Sequence, residues 1–195
     1  MQKRLTLANN LQEIGTALRE PEAFAIRWRD GGANGVEPVS AIAFPLLTVT
    51  AVLCTAAYGI TMGLHQGPEV MITKGMVAPI AAGLAWLISL PTLYIINSLS
   101  GSKLNLPTTT LAALITVNFG ALAMLASIPI NGFFTIAFGS PTLSLLVNFT
   151  VFAGVGISML SVFMRVMNAL EPRRNLAVLW LGLVAATGME LFHLF

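Results

Sequence analysis

Charge is scarce in this sequence, and its scarcity is the first constraint on what the protein can be. Only 9% of the 195 residues are charged, whereas 56% are hydrophobic, and the mean hydropathy is +0.82. Soluble globular domains carry roughly 25% charged residues. The composition therefore excludes an ordinary soluble domain and predicts a polytopic, all-α membrane protein. The ten lysines and arginines are scattered rather than clustered, so no nucleic-acid partner is expected.

Reactive side chains are also few. Asp30 is the only aspartate and Cys54 the only cysteine, which excludes an intrachain disulfide. The sequence has no Gly-x-Ser-x-Gly elbow and no His-Glu-x-x-His zinc motif. We therefore expect a protein that is not an enzyme and has no cofactor. The start, MQKRLTLANNLQEIG, lacks the apolar core of a signal peptide, so the first span is expected to stay as an anchor.

Long apolar runs dominate what remains. The sequence predicts five transmembrane helices at about 41–64, 75–97, 108–128, 142–168 and 175–195, each long enough to cross a hydrocarbon layer of ~30 Å. Residues 41–195 thus form the predicted transmembrane domain.

Residues 1–40 are predicted to form a cytoplasmic or interfacial amphipathic segment. Its apolar stripe, in a helix from Arg4 to Arg19, is expected to lie in the membrane interface or against the bundle. The stripe consists of Leu7, Leu11, Ile14 and Leu18. A second short helix is predicted from Pro21 to Arg29, and the run DGGANGV at 30–36 is interpreted as a hinge.

The basic residues predict the orientation of the chain. Nine of the ten lysines and arginines fall before the first span or in the loops on the same side of the membrane, and Lys74 falls on the other. Basic residues are retained on the cytoplasmic face. The N-terminus is therefore predicted to be cytoplasmic and the C-terminus outside, with outer loops at about 64–74 and 129–141.

Small and polar residues recur at helical spacing in three spans and predict the faces that pack inward. In the fourth span these are Thr150, Gly154, Ser158, Ser161 and Arg165. In the first span they are Thr50, Cys54, Tyr58, Thr61 and His65. In the last span they are Asn175, Leu179, Gly182, Ala186, Glu190 and His193.

Three groups of residues are candidate sites. His65, Glu190 and His193 are predicted near the outer surface; Glu-x-x-His spacing is used by di-iron bundles, but a single carboxylate within a span favours an interfacial polar cluster over a metal site. Tyr58, Asn118 and Asn148 are candidate intramembrane polar contacts, either as hydrogen bonds between helices or as a permeation path. Arg165, Arg173 and Arg174 are candidate contacts to lipid headgroups.

From Leu53 onward the sequence resembles a bacterial family of five-span membrane proteins loosely related to the Yip1 superfamily. The resemblance lies in the order and spacing of AAYGITMGL, SLPTLYIINSLSGSKLNLPTTTLAALI, ASIPINGFF and LLVNFTVFAGVGISML. It implies the five-helix topology and no catalytic residue. The sequence lacks the Gln, Trp and Arg-Pro of the terminal pattern common in bacterial members, and an Asp-Leu-Tyr-Gly-Pro motif of eukaryotic relatives is absent from residues 1–40.

These observations favour a non-enzymatic membrane scaffold or anchor, in the bacterial inner membrane, that binds partner proteins through its N-terminal segment or its helix faces. The alternatives are a transport or channel component lined by Tyr58, Asn118, Asn148 and Glu190, or an accessory subunit that uses the uncharged loop 129–141 as a contact. The expected partners are membrane lipids, a second copy of the chain or other subunits of a membrane complex.

Overall fold

The computed structural model describes residues 12, 14–31, 42–99, 101–171 and 177–194. In that part of the chain the structure is entirely helical, and residues 14–19 form a short helical stretch before seven bounded helices. These are α1 (Pro21–Asp30), α2 (Ala43–Met62), α3 (Pro68–Leu99), α4 (Leu106–Ala126), α5 (Ile128–Phe138), α6 (Pro141–Leu170) and α7 (Ala177–Leu194).

Among the described residues, four apolar segments are long enough to cross a bilayer, which indicates an integral membrane protein. They are Ala43–Met62, Pro68–Leu99, Leu106–Phe138 and Thr142–Leu170, and they contain the first four predicted spans or most of each. In lipid the backbone polar groups must be satisfied within the segment, so such runs become helices. The fifth span, 175–195, stays a prediction; its described part is α7, with 18 residues.

The bundle is assembled around α4. This helix contacts α1, α2, α3, α5 and α6, while α7 packs mainly against α3. A shared core of buried side chains joins the helices, including Leu47, Leu111 and Phe163. Trp180 is fully buried at the edge of this core, and the Trp180 Nε1–H donates to the Ser89 carbonyl oxygen at 3.0 Å.

Glycines let α2 and α3 approach closely at one end of the bundle. A Cβ atom on Gly59 would lie 2.5 Å from the Lys74 carbonyl oxygen and 2.8 Å from the Ala78 Cβ atom. Both distances are too short for non-bonded atoms. The two helices can approach this closely only because residue 59 is a glycine and has no Cβ atom. Close backbone approach at small residues is the usual way in which helices associate in lipid.

The segment predicted as the outer loop 129–141 is mostly a helix. α4 ends at Ala126 and is followed by Ser127, whose N–H donates to the Ala123 and Met124 carbonyl oxygens, and α5 follows with Pro129 in its first turn. A proline ring has no N–H to donate and clashes with the preceding turn, so the helix breaks and restarts. α5 contacts both α2 and α6.

The N-terminal helices belong to the same core as the spans. Phe24 and Ala25 of α1 are buried, as are Ile14 and Ala17 of the preceding helical stretch. The predicted second short helix is confirmed as α1, with Pro21 in its first turn. The apolar stripe therefore packs against the bundle where it is described. Leu7 and Leu11 lie outside the described residues, as does the hinge beyond Gly31.

The predicted inward face of the fourth span was wrong. Thr150, Gly154, Ser161 and Arg165 of α6 are exposed, and only Ser158 in that set is partly buried. α6 instead buries the side that carries Ser144, Asn148, Val155, Phe163 and Val166. The small residue at the contact lies on the partner helix: a Cβ atom on Gly120 of α4 would meet the Met159 sulfur at 2.5 Å.

The predicted inward face of the last span was also wrong for its described side chains. Gly182, Ala186 and Glu190 are exposed, whereas Trp180 and Val184 are buried. Large side chains determine the packed side of α7 because Trp180 fills the gap between Trp86 and Phe163, at ring distances of 4.8 and 4.7 Å. In the first span, by contrast, Cys54, Tyr58 and Thr61 are buried, although His65 is exposed.

Candidate functional site

A buried polar network joins α2, α5 and α6, and we define it as Tyr58, Thr61, Asn131, Ser144 and Asn148. Each of its side chains is at most 8% exposed. The Tyr58 hydroxyl donates to Asn148 Oδ1 at 2.8 Å. The amide Nδ2 of Asn148 in turn donates to the Ser144 carbonyl oxygen at 2.8 Å. This branch therefore fixes α2 against α6.

A second branch fixes α5 against α2. Asn131 Nδ2 donates to Thr61 Oγ1 at 2.9 Å, and the Thr61 hydroxyl donates to the Tyr58 carbonyl oxygen at 2.6 Å. The two branches share Tyr58, one through its hydroxyl and the other through its backbone. Because hydrogen bonds between membrane helices contribute about 0.6 kcal/mol on average, the network stabilises the bundle modestly and fixes the relative positions of its helices.

Two buried oxygen atoms, one in the network and one on the adjoining Thr135, have no hydrogen-bond partner among the described residues. They are Asn131 Oδ1 and Thr135 Oγ1, on residues that are 0% and 2% exposed. The two residues are four apart on α5, so they lie on the same side of that helix. An unsatisfied buried polar atom costs roughly 1–3 kcal/mol. This spot therefore favours a bound water or another small polar molecule.

Asn118, the third predicted intramembrane contact, bonds within its own helix. It is fully buried in α4, and its Nδ2 donates to the Leu114 carbonyl oxygen at 3.0 Å. Its Oδ1 has no partner among the described residues. The structure thus joins Tyr58 to Asn148 and places Asn118 in a different set of contacts.

Sequence reasoning missed three members of the network and the adjoining Thr135. Thr61 had been noted only as part of a face, and Ser144 contributes a backbone carbonyl that no pattern reveals. Asn131 and Thr135 fall in the segment that was interpreted as a loop. Their spacing of four was the available signal, since it places two polar residues on one side of a helix.

The predicted outer cluster is not assembled by the described side chains. His65 is exposed and its Nε2 lies 3.3 Å from Gln66 Nε2. Glu190 is exposed on α7, and Gly188 of that helix lies beside Ala85. His65 is three residues before Pro68, the first residue of α3, and Ala85 is 17 residues further along that helix. Glu190, which is two residues from Gly188, therefore lies roughly 20 Å from His65 along the bundle. The His193 side chain is outside the described part.

Metal-ligating side chains do not cluster in the described region: it contains no group of three or more histidine, cysteine, aspartate or glutamate residues that could hold a metal ion.

Arg165, the candidate headgroup contact, forms an ion pair with Glu22 of α1 at 2.5 Å and is 58% exposed. Arg173 and Arg174 lie outside the described residues. Arg165 therefore helps to attach α1 to the bundle, and its exposure still allows contact with a headgroup.

Arg29 connects α1 to the end of α6. Its Nη1 donates to the Leu170 carbonyl oxygen at 2.6 Å, and its Nε pairs with Asp30 at 2.7 Å. The hydrogen bond from Arg29 lowers the pKa of Asp30, and the Arg29 positive charge lowers it further. The same hydrogen bond raises the pKa of Arg29.

Comparison with known proteins identified no relative: no protein-family model, no curated protein and no solved structure matches the chain. The likeness to the Yip1 superfamily therefore stays a prediction. Any functional interpretation depends on the geometry alone.

Proposed function

We propose that the protein is a non-enzymatic membrane scaffold or anchor that binds partner proteins through its N-terminal cap, defined as residues 14–31. The observation that supports this proposal is that the cap is fixed to the bundle and presents a polar outer surface. Phe24 and Ala25 are buried against the spans, while Arg19 and Glu20 are exposed. A surface held in one place loses little freedom when it binds a partner.

Two polar contacts keep the cap in position on the bundle. Arg29 reaches Leu170, and Arg165 pairs with Glu22. The Glu20 N–H also donates to the Thr16 carbonyl oxygen at 2.8 Å, which links the first helical stretch to α1. Because the apolar side of the cap is already used within the molecule, a partner must contact its charged side. We expect a hydrophilic protein partner in the cytoplasm, because the distribution of basic residues predicts that this end of the molecule is cytoplasmic.

The experiment is affinity purification from mild detergent after cross-linking in intact cells. Reversing both exposed charges, Arg19→Glu together with Glu20→Lys, is expected to remove a partner that the unaltered protein retains. Glu69→Lys is the matched control, since Glu69 is an exposed charge outside the cap. A partner retained equally by all three proteins, or a bundle that is always purified alone, would contradict the proposal.

The orientation can be tested separately by cysteine labelling. Cys54 is buried, so it can be replaced by alanine before single cysteines are introduced at Arg19 or Glu69. We expect an impermeant maleimide added to intact cells to label position 69 and not position 19. The reverse pattern would place the cap outside the cell and would exclude a cytoplasmic partner.

A transport or channel component remains a second candidate because of the unpartnered oxygen atoms of Asn131 and Thr135. A polar spot of this kind between helices could bind a small polar solute during passage. Flux into liposomes that is lost in Asn131→Leu and retained in Thr48→Val would favour it. Thr48 is exposed and bonds to the Phe44 carbonyl oxygen of its own helix, which makes it a suitable control.

A further inference from the structure

A cavity of about 260 Å³ lies at the junction of the cap with the bundle. It is formed where α1 ends, where α4 begins and where α6 ends. We call it the junction cavity, and its lining consists of Arg29, Lys103, Leu104, Asn105, Thr108, Leu170 and Glu171. The network described above is not part of it, so the scaffold proposal and the candidate transport site leave the junction cavity without a role.

The lining carries charges of both signs. Lys103 and Glu171 meet through the Lys103 backbone N–H and Glu171 Oε1, at 3.3 Å. Their side chains form no ion pair within the described region, although both line the same space. Arg29 adds a second cation, part of whose hydrogen-bonding capacity is used by Leu170 and Asp30. Separated charges of opposite sign fit a ligand that is itself zwitterionic.

The helix ends at the cavity have the same polarity as the side chains. α4 begins beside Lys103, and the positive end of its dipole favours a negative group there. α6 ends at Leu170 beside Glu171, and the negative end of its dipole favours a positive group. Arg29 already occupies the end of α6 through its bond to the Leu170 carbonyl oxygen, so the negative charge of the cavity comes from Glu171 and the positive charge on the α4 side comes from Lys103 and the start of α4.

Exposed apolar residues flank the Lys103–Asn105 part of the lining along the chain. Leu106, the first residue of α4, is 50% exposed, and Leu99, the last residue of α3, is 83% exposed. Both helices belong to the apolar segments that are long enough to cross a bilayer. A ligand in the cavity could thus continue into lipid along these helices, which favours an amphiphile over a soluble metabolite.

We propose that the junction cavity binds the phosphoethanolamine headgroup of a membrane lipid. The phosphate lies beside Lys103 and Arg29, where lysine and arginine supply charge-assisted hydrogen bonds. The ammonium group lies beside Glu171, to whose carboxylate its N–H groups donate. The acyl chains extend past Leu106.

The test is lipid retention by the full-length protein, purified from vesicles of equal parts phosphatidylethanolamine and phosphatidylcholine and examined by native mass spectrometry. Phosphatidylcholine is the matched ligand, because it has the same net charge but no N–H group to donate to Glu171. We expect about tenfold preferential retention of phosphatidylethanolamine. Glu171→Gln should reduce that preference and Lys103→Gln should reduce the retention of both lipids, whereas Glu69→Gln should leave both quantities unchanged.

Equal retention of the two lipids would overturn the proposal, as would an unaltered preference in Glu171→Gln or an unaltered retention in Lys103→Gln. Lys103 is exposed, so its variant keeps the test decisive if Glu171→Gln fails to fold. Free phosphoethanolamine serves as the competitor: displacement of the lipid at equimolar competitor would show that the site takes a soluble ligand, and would also contradict a lipid site.

Discussion

The hydrogen bond between Tyr58 and Asn148 offers a direct test of the buried network. Tyr58→Phe removes the hydroxyl and leaves Asn148 Oδ1 without its donor, while the ring keeps its edge contact with Phe152 at 5.8 Å. Measured hydrogen bonds between membrane helices contribute about 0.6 kcal/mol on average and about 1.7 kcal/mol at most. Because Tyr58 and Asn148 are 1% and 8% exposed, we expect a loss of about 1–2 kcal/mol in the free energy of unfolding.

Reversible unfolding by sodium dodecyl sulfate in mixed micelles, followed by circular dichroism, measures this loss. Tyr94→Phe is the matched control, since Tyr94 is half-buried and its hydroxyl makes no hydrogen bond to a described residue. A double-mutant cycle with Asn148→Ala should give a coupling of about 1 kcal/mol. Equal effects of the two tyrosine variants, or a coupling below about 0.3 kcal/mol, would refute the assigned hydrogen bond.

Two further predictions concern packing. Gly59→Ala should destabilise the protein by about 1–3 kcal/mol, because the new methyl group meets the Lys74 backbone at 2.5 Å; Gly83→Ala, where nothing lies within 4 Å, should be neutral or slightly stabilising in the same unfolding assay. Trp180→Phe should cost about 2–4 kcal/mol, since it loses buried ring volume and the bond to Ser89; a cost below that of Gly83→Ala would contradict the buried position of Trp180.

The apolar spans and the first short helix could be predicted because they depend on local properties of the chain. A run such as 142–168 has few charges, and in lipid its backbone N–H and C=O groups can find hydrogen-bond partners only within a helix. The bounds of α1 followed from Pro21 and the glycine-rich run after Asp30, which are local signals as well. The burial of Tyr58 and Cys54 also agreed with the helical spacing of polar residues in the first span.

The packed sides of α6 and α7 could not be predicted in the same way. A stripe of small residues such as Thr150 and Gly154 identifies a smooth side of a helix, but it does not show whether a neighbour lies there. In these two helices the buried side carries large residues, such as Phe163 and Trp180, that fill space left by other helices. That space depends on where every helix lies, which a single helix does not encode.

The amino-acid sequence alone makes this chain helical, apolar and able to enter a bilayer, because the backbone hydrogen bonds and the lipid contacts of a span depend on that span alone. Which polar groups meet depends on the tertiary structure. Asn131 reaches Thr61 because the chain restarts as a helix at Ile128 and contacts α2. Lys103 and Glu171, 68 positions apart, share one cavity for the same reason: contacts between distant residues depend on how helices pack, and packing is a property of the whole bundle.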